Sequence, residues 1–248
     1  MTNPTPVVVD LSHWDPAQDY AAVKKAGIVG VIYKATEGTG YTDPTYVQQQ
    51  KGAKALGLKW GAYHFANSSD ATQQANNFLK FAFPDSDELF CLDWEDNGGD
   101  TMSLEQARQW IQIVEAELGR PGECVIYSGN TAKEALGNKN DPFFGSRRLW
   151  LAQYGPTPVC QKSWASYWLW QYSETGSIPG INGDCDVNHY DGSPDELVAQ
   201  WATGSITPAP PATNVVTVMI DAPPGVYVKV VNVNDRHERK RARSETDA

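Results

Sequence analysis

Residues 89–95 read LFCLDWE, a continuous apolar run that ends in two acids. A run of this kind predicts a β-strand that is buried on both faces, as in a parallel sheet covered by helices. Four similar runs, rich in β-branched and aromatic residues, lie at 7–11, 30–34, 60–65 and 124–128. Helix-like segments separate the five runs, so the sequence predicts a series of βα units.

Capping residues mark the starts and ends of the helices. Asp15-Pro16 and Asp43-Pro44 each pair an N-cap acceptor with proline, which is favoured at the first helical position. Ser103 and Gln106 have the spacing of a capping box, and the apolar stripe that follows them ends at Gly119. We therefore predict helices that begin at these three positions.

The pattern changes after residue 148. Runs at 149–154, 168–172 and 184–190 resemble strands with little helix between them, and a short helix is predicted over 194–201. Five βα units followed by three strands give eight strands, which is enough to close a barrel. The predicted fold class is α/β, an irregular TIM-like (β/α)5(β)3 barrel with a small C-terminal β-hairpin appendage.

The C-terminal region differs in composition from the rest of the chain. We place the barrel domain at 1–204, a Pro-rich linker at 205–213, the β-hairpin at 214–234 and a charged, disordered tail at 235–248. An isolated hairpin is only marginally stable in water, so we expect another surface to cover one of its faces.

Composition excludes several classes of protein. The 248 residues include 20 Lys+Arg and 30 Asp+Glu, a formal net charge of -10. An acidic surface repels phosphate, so nucleic-acid binding is disfavoured. No apolar run approaches the roughly 18 residues of a membrane span, and no signal peptide is visible. We therefore expect the protein to accumulate in the cytoplasm of the producing cell and to act on its substrate after release.

Aromatic residues and cysteines are less decisive. Nine Trp and eleven Tyr suit a packed core, and they equally suit a site for sugar rings, whose apolar faces stack on aromatic side chains. The four cysteines show no CxxC pair and no Cys/His metal spacing. Cys91 and Cys124 fall within apolar runs, which favours structural roles. We predict no metal ion and no cofactor.

Acidic residues stand at or just after the predicted strands, where a βα barrel builds its chemistry: Asp10, Glu37, Asp93, Glu95 and Asp186. Asp93 and Glu95 are two residues apart, so their side chains leave the same face of the strand, with Cα atoms roughly 6.6 Å apart at ~3.3 Å per residue. One ionised carboxylate at that distance raises the pKa of the other. This pairing suits glycoside hydrolysis, although either acid alone would also serve as a helix N-cap.

Other hydrolytic chemistries have little support in the sequence. There is no GxSxG nucleophile elbow, no cluster of histidines and no phosphate-binding loop.

The segments that carry these acids resemble glycoside hydrolase family 25, the Chalaropsis-type lysozymes that occur widely in phage endolysins. The resemblance covers residues 7 to about 200 and is strongest at Asp10-Leu11 and over 32–43, which reads IYKATEGTGYTD. Further matching segments are 61–65, 92–95, 150–154 and 186–188. Asp15 departs from the family pattern, which has Asn or Gln there, and we interpret this difference as a capping change.

The resemblance implies an enzyme that cleaves the β-1,4 bond between N-acetylmuramic acid and N-acetylglucosamine in bacterial peptidoglycan. By position, Glu95 is the general acid and base, Asp93 is its partner, and Asp10 is a third catalytic candidate on the floor of the groove. The candidates for substrate binding are Glu37, Asp186, Tyr63, Tyr127 and Tyr154. A phage enzyme of this kind would need a holin-type partner for release.

Several alternatives stay open at this stage. Either a carboxylate such as Asp93 stabilises or attacks the developing cation, or the 2-acetamido group of the substrate attacks while Asp93 holds its N–H. A chitinase-like barrel is the nearest enzymatic alternative, but Cys91 stands where its D-x-x-D-x-D-x-E run has an acid. A non-catalytic wall-binding module is disfavoured because both Asp93 and Glu95 are present. The oligomeric state is not predicted.

Overall fold

The computed structural model describes residues 4–203, in which nine strands form one sheet. The strands are β1 (Val8–Leu11), β2 (Gly30–Glu37), β3 (Tyr41–Thr42), β4 (Lys59–Phe65), β5 (Leu89–Asp93), β6 (Val125–Ser128), β7 (Leu149–Ala152), β8 (Leu169–Gly176) and β9 (Cys185–His189). Because β1 pairs with both β2 and β9, eight of these strands close into a barrel. The short strand β3 pairs only with β2, in an antiparallel arm outside the ring.

The barrel is mixed in strand direction. Seven strands, β1, β2 and β4 to β8, follow one another around the ring in chain order, and each is parallel to the next. Strand β9 lies between β8 and β1 and is antiparallel to both. Five strand–helix units precede β7, and within residues 149–189 no helix separates β7, β8 and β9. The predicted (β/α)5(β)3 barrel is therefore confirmed.

Helices cover the outside of the barrel: α1 (Tyr20–Lys25), α2 (Tyr46–Ala55), α3 (Ala71–Phe81), α4 (Leu104–Leu118), α5 (Asn130–Leu136), α6 (Pro142–Gly145) and α7 (Pro194–Gln200). Ser103 and Gln106 form the predicted capping box of α4, and Gly119 ends that helix in the left-handed conformation, with φ of 64°. The helix predicted over 194–201 is also confirmed, as α7.

Two predicted helix starts are wrong. Asp19 caps α1 in place of Asp15, and α2 has Thr45, not Asp43, as its N-cap. Asp15 accepts hydrogen bonds from the backbone and hydroxyl of Ser12, and Asp43 accepts two from His13. Asp43 also accepts from the N–H and the hydroxyl of Thr45 through its other oxygen, so it links the loop of His13 to the segment that leads into α2.

Alternating strand residues divide the core into two clusters, since successive side chains point to opposite faces. The first lies inside the barrel and includes Val8, Ile32, Leu89, Cys91, Val125 and Leu169. The second lies between the strands and the helices and includes Val9, Val31, Phe90, Leu92, Cys124 and Ile126. Cys91 and Cys124 are fully buried, which agrees with their predicted structural role.

Trp201 closes the barrel at the N-terminal ends of the strands. Its Nε1 donates to the carbonyl of Trp60 at 2.7 Å, and its ring fills the space that a Cβ on Gly30 would occupy. The buried guanidinium of Arg148 donates to the Trp201 carbonyl at 3.1 Å. Residues 194–203 therefore belong to the barrel. The predicted linker, hairpin and tail lie outside the described residues.

Within residues 4–203, no helix has both the length and the apolarity needed to cross a membrane.

Candidate active site

A cavity of about 140 Å³ opens at the C-terminal ends of the strands. It is lined by six residues that the sequence had singled out: Asp10, Tyr63, Asp93, Glu95, Tyr127 and Asp186. Five further residues complete the lining: Ser12, Trp14, Lys34, Phe65 and Trp150. A groove of about 900 Å³ beside β8 and β9 is larger, but no acid lines it. The carboxyl groups therefore single out the smaller cavity.

Asp93 and Glu95 reach the cavity from the end of β5. Asp93 is the last residue of the strand and is 6% exposed. The N–H of Trp94 donates to the carbonyl of Tyr127 at 2.9 Å, which continues the pairing of β5 with β6 past Asp93. The Trp94 indole lies on the opposite face and donates to the carbonyl of Met102 at 2.7 Å. The two acids thus share a face, and neither caps α4, which has its own capping box.

Asp10 and Asp186 form a second carboxyl pair. They lie directly opposite each other in the antiparallel pairing of β1 with β9. Gln171 on β8 bridges them, since its Nε2 donates to Asp10 Oδ1 at 3.0 Å and to Asp186 Oδ2 at 3.3 Å. Asn188 Nδ2 also donates to Asp10 Oδ2, at 2.7 Å. These donors favour the charged form of a pair that would otherwise repel.

Two tyrosine hydroxyls fix the orientation of the Gln171 amide. Tyr127 and Tyr154 both donate to its Oε1, at 2.8 and 3.0 Å. Because the oxygen faces these donors, the NH₂ group faces the carboxyl pair. Trp150 Nε1 orients the Asn188 amide in the same way, at 2.6 Å. Sequence reasoning missed both amides, although a single amide at an inward-facing position of an apolar strand is a usable signal.

Burial raises the pKa of all four carboxyl groups in the cavity. The pKa of Asp10 lies well above its usual value because of burial and then repulsion by Asp186. Burial and then repulsion by Glu95 raise the pKa of Asp93 in the same way. Burial raises the pKa of Asp186 to about 6. A cavity with four such groups retains protons at pH values where exposed carboxyl groups are ionised.

Glu95, the predicted general acid, also has a raised pKa, because of burial and then the charge of Asp186. The sequence had predicted that the charge of Asp93 would raise it. The repulsion between Asp93 and Glu95 is mutual and raises the pKa of Asp93, while Asp186 adds a further negative charge beside Glu95. Lys34 opposes the shift at both Asp93 and Glu95.

Glu37 does not line the cavity. Its carboxylate forms an ion pair of 2.6 Å with Lys34 Nζ, and Lys34 is the residue that reaches the cavity. Tyr154 is likewise absent from the lining and is 51% exposed, so it reaches the carboxyl groups only through Gln171. The roles of Glu37 and Tyr154 in substrate binding stay predictions.

A separate acidic cluster lies just before β5, at the other end of the barrel. Ligand atoms of Asp85, Asp87 and Glu88 lie within 4.8 Å of one another. Lys54 Nζ already lies 2.5 Å from Glu88 Oε1 and 3.4 Å from Asp85 Oδ2. This lysine supplies the positive charge, so the cluster is an ion-pair network remote from the cavity.

An α/β barrel with paired carboxyl groups at the C-terminal ends of its strands has the features of a glycoside hydrolase. The chain matches the family model for glycosyl hydrolases family 25 over residues 9–181 and belongs to that family, so it is a glycosidase. The predicted family is therefore confirmed.

Similar proteins that are lysozymes support the same conclusion. The chain is 31% identical to Lysozyme M1 of Streptomyces globisporus in an alignment of 204 residues that covers 77% of this chain and 69% of that protein. It is 34% identical to the autolytic lysozyme of Clostridium acetobutylicum in an alignment of 187 residues that covers 73% of this chain and 55% of that protein. The crystal structure of a bacterial lysozyme from Streptomyces coelicolor matches with a TM-score of 0.70 at 31% identity, over 83% of this chain and all of that one.

Proposed function

We propose that this protein is an N-acetylmuramidase that cleaves the β-1,4 bond between N-acetylmuramic acid and N-acetylglucosamine in bacterial peptidoglycan. The observation that carries the proposal is the convergence of Asp10, Asp93, Glu95 and Asp186 on one cavity at the C-terminal strand ends of a family 25 barrel. Lysozymes among the relatives support the choice of substrate.

Glu95 is the general acid and base in this proposal. Its raised pKa keeps a proton available for the leaving oxygen, which general acid catalysis requires. As the glycosidic bond breaks, positive charge develops on the sugar, and the surrounding carboxyl groups stabilise it. Lys34 limits the repulsion among these groups before substrate binds, because it is the one cation among the lining residues.

Asp93 is the partner of Glu95, and one of its atoms favours substrate assistance over direct attack. Oδ1 is buried and has no hydrogen-bond partner among the described residues. A buried acceptor without a partner is costly unless a ligand completes it. The N–H of a 2-acetamido group would supply that donor, and the carbonyl oxygen of the same acetamide would then be held in place to attack the anomeric carbon as the bond to the leaving oxygen breaks.

Glu95→Gln tests the proposal, because it keeps the shape of the side chain and removes the proton. We expect the clearing of purified cell walls to slow by about 10²–10⁴-fold. The matched control is Glu105→Gln, because the Glu105 side chain on α4 is 86% exposed. This variant should clear cell walls at the normal rate. Activity of Glu95→Gln within about threefold of the unmodified protein would exclude the assignment.

Two product analyses complete the test. Reducing-end analysis of the released glycan should show N-acetylmuramic acid at the new end. Release of N-acetylglucosamine there instead would contradict the proposed bond. Removal of the N-acetyl group from the muramic acid should abolish cleavage if the acetamide attacks, and cleavage of that glycan would support direct attack by a carboxylate.

A further inference from the structure

Trp14 is an exposed aromatic side chain at the rim of the catalytic cavity. It is 83% exposed, more than any other large apolar side chain within residues 4–203, and it belongs to the lining of the cavity that holds Asp93 and Glu95. Single exposed apolar residues are common on protein surfaces. Trp14 differs from these because of its position and because neighbouring groups hold it in place.

The loop that carries Trp14 is fixed by hydrogen bonds. The N–H of Trp14 donates to Ser12 Oγ at 3.2 Å, and the N–H of Ser12 donates to Asp15 Oδ1 at 2.7 Å. The His13 ring lies against the indole, with centroids 4.4 Å apart. The backbone N–H of His13 donates to the buried carboxylate of Asp43 at 3.0 Å. Little conformational entropy therefore remains to be lost when a ligand binds to the indole.

A second loop completes this surface. The hydroxyl of Tyr41, on β3, lies 3.0 Å from His13 Nδ1, and the two rings have centroids 6.0 Å apart. Lys34 Nζ lies 5.5 Å from the Tyr41 ring centroid and also lines the cavity. We call Trp14, His13 and Tyr41 the rim platform. It is continuous with the catalytic cavity through Lys34 and Trp14.

The size of the cavity indicates what the rim platform binds. At about 140 Å³ the cavity is well below the ~300–1,000 Å³ that typically encloses a small-molecule ligand. A polymeric substrate must therefore continue across the rim, next to Trp14. Four of the lining residues are acids, which disfavours an anionic peptide there and leaves a neutral sugar ring as the suitable occupant.

We propose that the rim platform is a subsite that stacks a sugar ring of the glycan strand on Trp14, outside the two residues joined by the cleaved bond. The apolar face of a pyranose packs on the exposed indole, and His13 and Tyr41 hold the indole at the required orientation. This subsite rests on the proposed muramidase function. It makes the enzyme favour long glycan strands over short ones.

Trp14→Ala tests this subsite by the dependence of activity on substrate length. The substrates are solubilised wall glycan and N-acetylmuramic acid with a chromogenic leaving group, which has no sugar beyond the cleaved bond. We expect kcat/KM to fall by about tenfold more on the glycan than on this monosaccharide, since stacking and apolar burial on one aromatic ring contribute about that factor. Trp14→Phe should recover part of the loss, because a smaller ring still stacks. Phe83→Ala, at a 60% exposed side chain that does not line the cavity, is the matched control.

Binding provides a readout that does not depend on turnover. In the Glu95→Gln background, Trp14→Ala should raise the Kd of a tetrasaccharide, measured by calorimetry, by a factor about ten times larger than the factor for a disaccharide. Equal effects on the long and short ligands, or no effect on either, would overturn the subsite. If the unmodified protein cleaves no wall glycan, the proposed function fails, and the binding comparison still decides whether the rim platform stacks sugar.

Discussion

Replacement of Gln171 by methionine probes how the Asp10–Asp186 pair is controlled. The methionine side chain has similar length, but it cannot donate to Asp10 at 3.0 Å or to Asp186 at 3.3 Å. It also removes the acceptor of the Tyr127 and Tyr154 hydroxyls. The variant therefore changes both the charge balance of the cavity and the stability of the barrel.

The size of the effect follows from the hydrogen bonds that are lost. A hydrogen bond to a charged group contributes about 1.5–3 kcal/mol, and one pKa unit corresponds to about 1.4 kcal/mol. The Gln171 hydrogen bond lowers the pKa of Asp10, so its loss should raise that pKa further. If catalysis needs the ionised pair, the acidic limb of the pH profile moves to higher pH by about one unit.

The assay is the pH dependence of kcat/KM on wall glycan, together with urea unfolding. The matched control is Gln161→Met, because Gln161 is also buried and donates to two carbonyls but has no hydrogen bond to a carboxyl group among the described residues. Both variants should lose about 1–3 kcal/mol of unfolding free energy. Only Gln171→Met should shift the acidic limb. Identical pH profiles for the two variants would refute the reasoning.

Three further predictions concern stability. The pKa of Asp186 is about 6 in the folded protein against 3.8 for the free group, so the folded state holds this proton more tightly than the unfolded state. The resulting contribution to the free energy of unfolding is complete below pH 4 and is lost as pH rises through 6. Urea unfolding should therefore show that Asp186→Asn loses less stability than the unmodified protein between pH 4 and 7, by about 2–3 kcal/mol, and equal changes would contradict this. Trp201→Ala should cost about 3–5 kcal/mol, because the fully buried indole closes the barrel. Truncation after Gly204 should leave a cooperatively folded barrel, whereas truncation after Gly192, which removes α7 and Trp201, should not; the opposite order of melting temperatures would show that the domain boundary is misplaced.

Local features of the fold were predictable from local sequence. The capping box of Ser103 and Gln106 and the end of α4 at Gly119 depend on residues a few positions apart. Asp15 failed as a helix start because it binds Ser12, only three residues away, whereas Asp43 also has a non-local partner. Asp43 is bound by His13, thirty residues away in sequence, and no local pattern reveals that contact.

The sequence by itself determined which segments become strands and which acids stand at their ends, because strand alternation and capping depend on near neighbours. Only the tertiary structure decided that β1 meets β9 in antiparallel register, which sets Asp10 opposite Asp186. It also decided that Gln171 bridges that pair, 161 residues from Asp10 along the chain. Such contacts depend on how the closed barrel staggers its strands, and a shift of one residue would turn every one of these side chains to the other face.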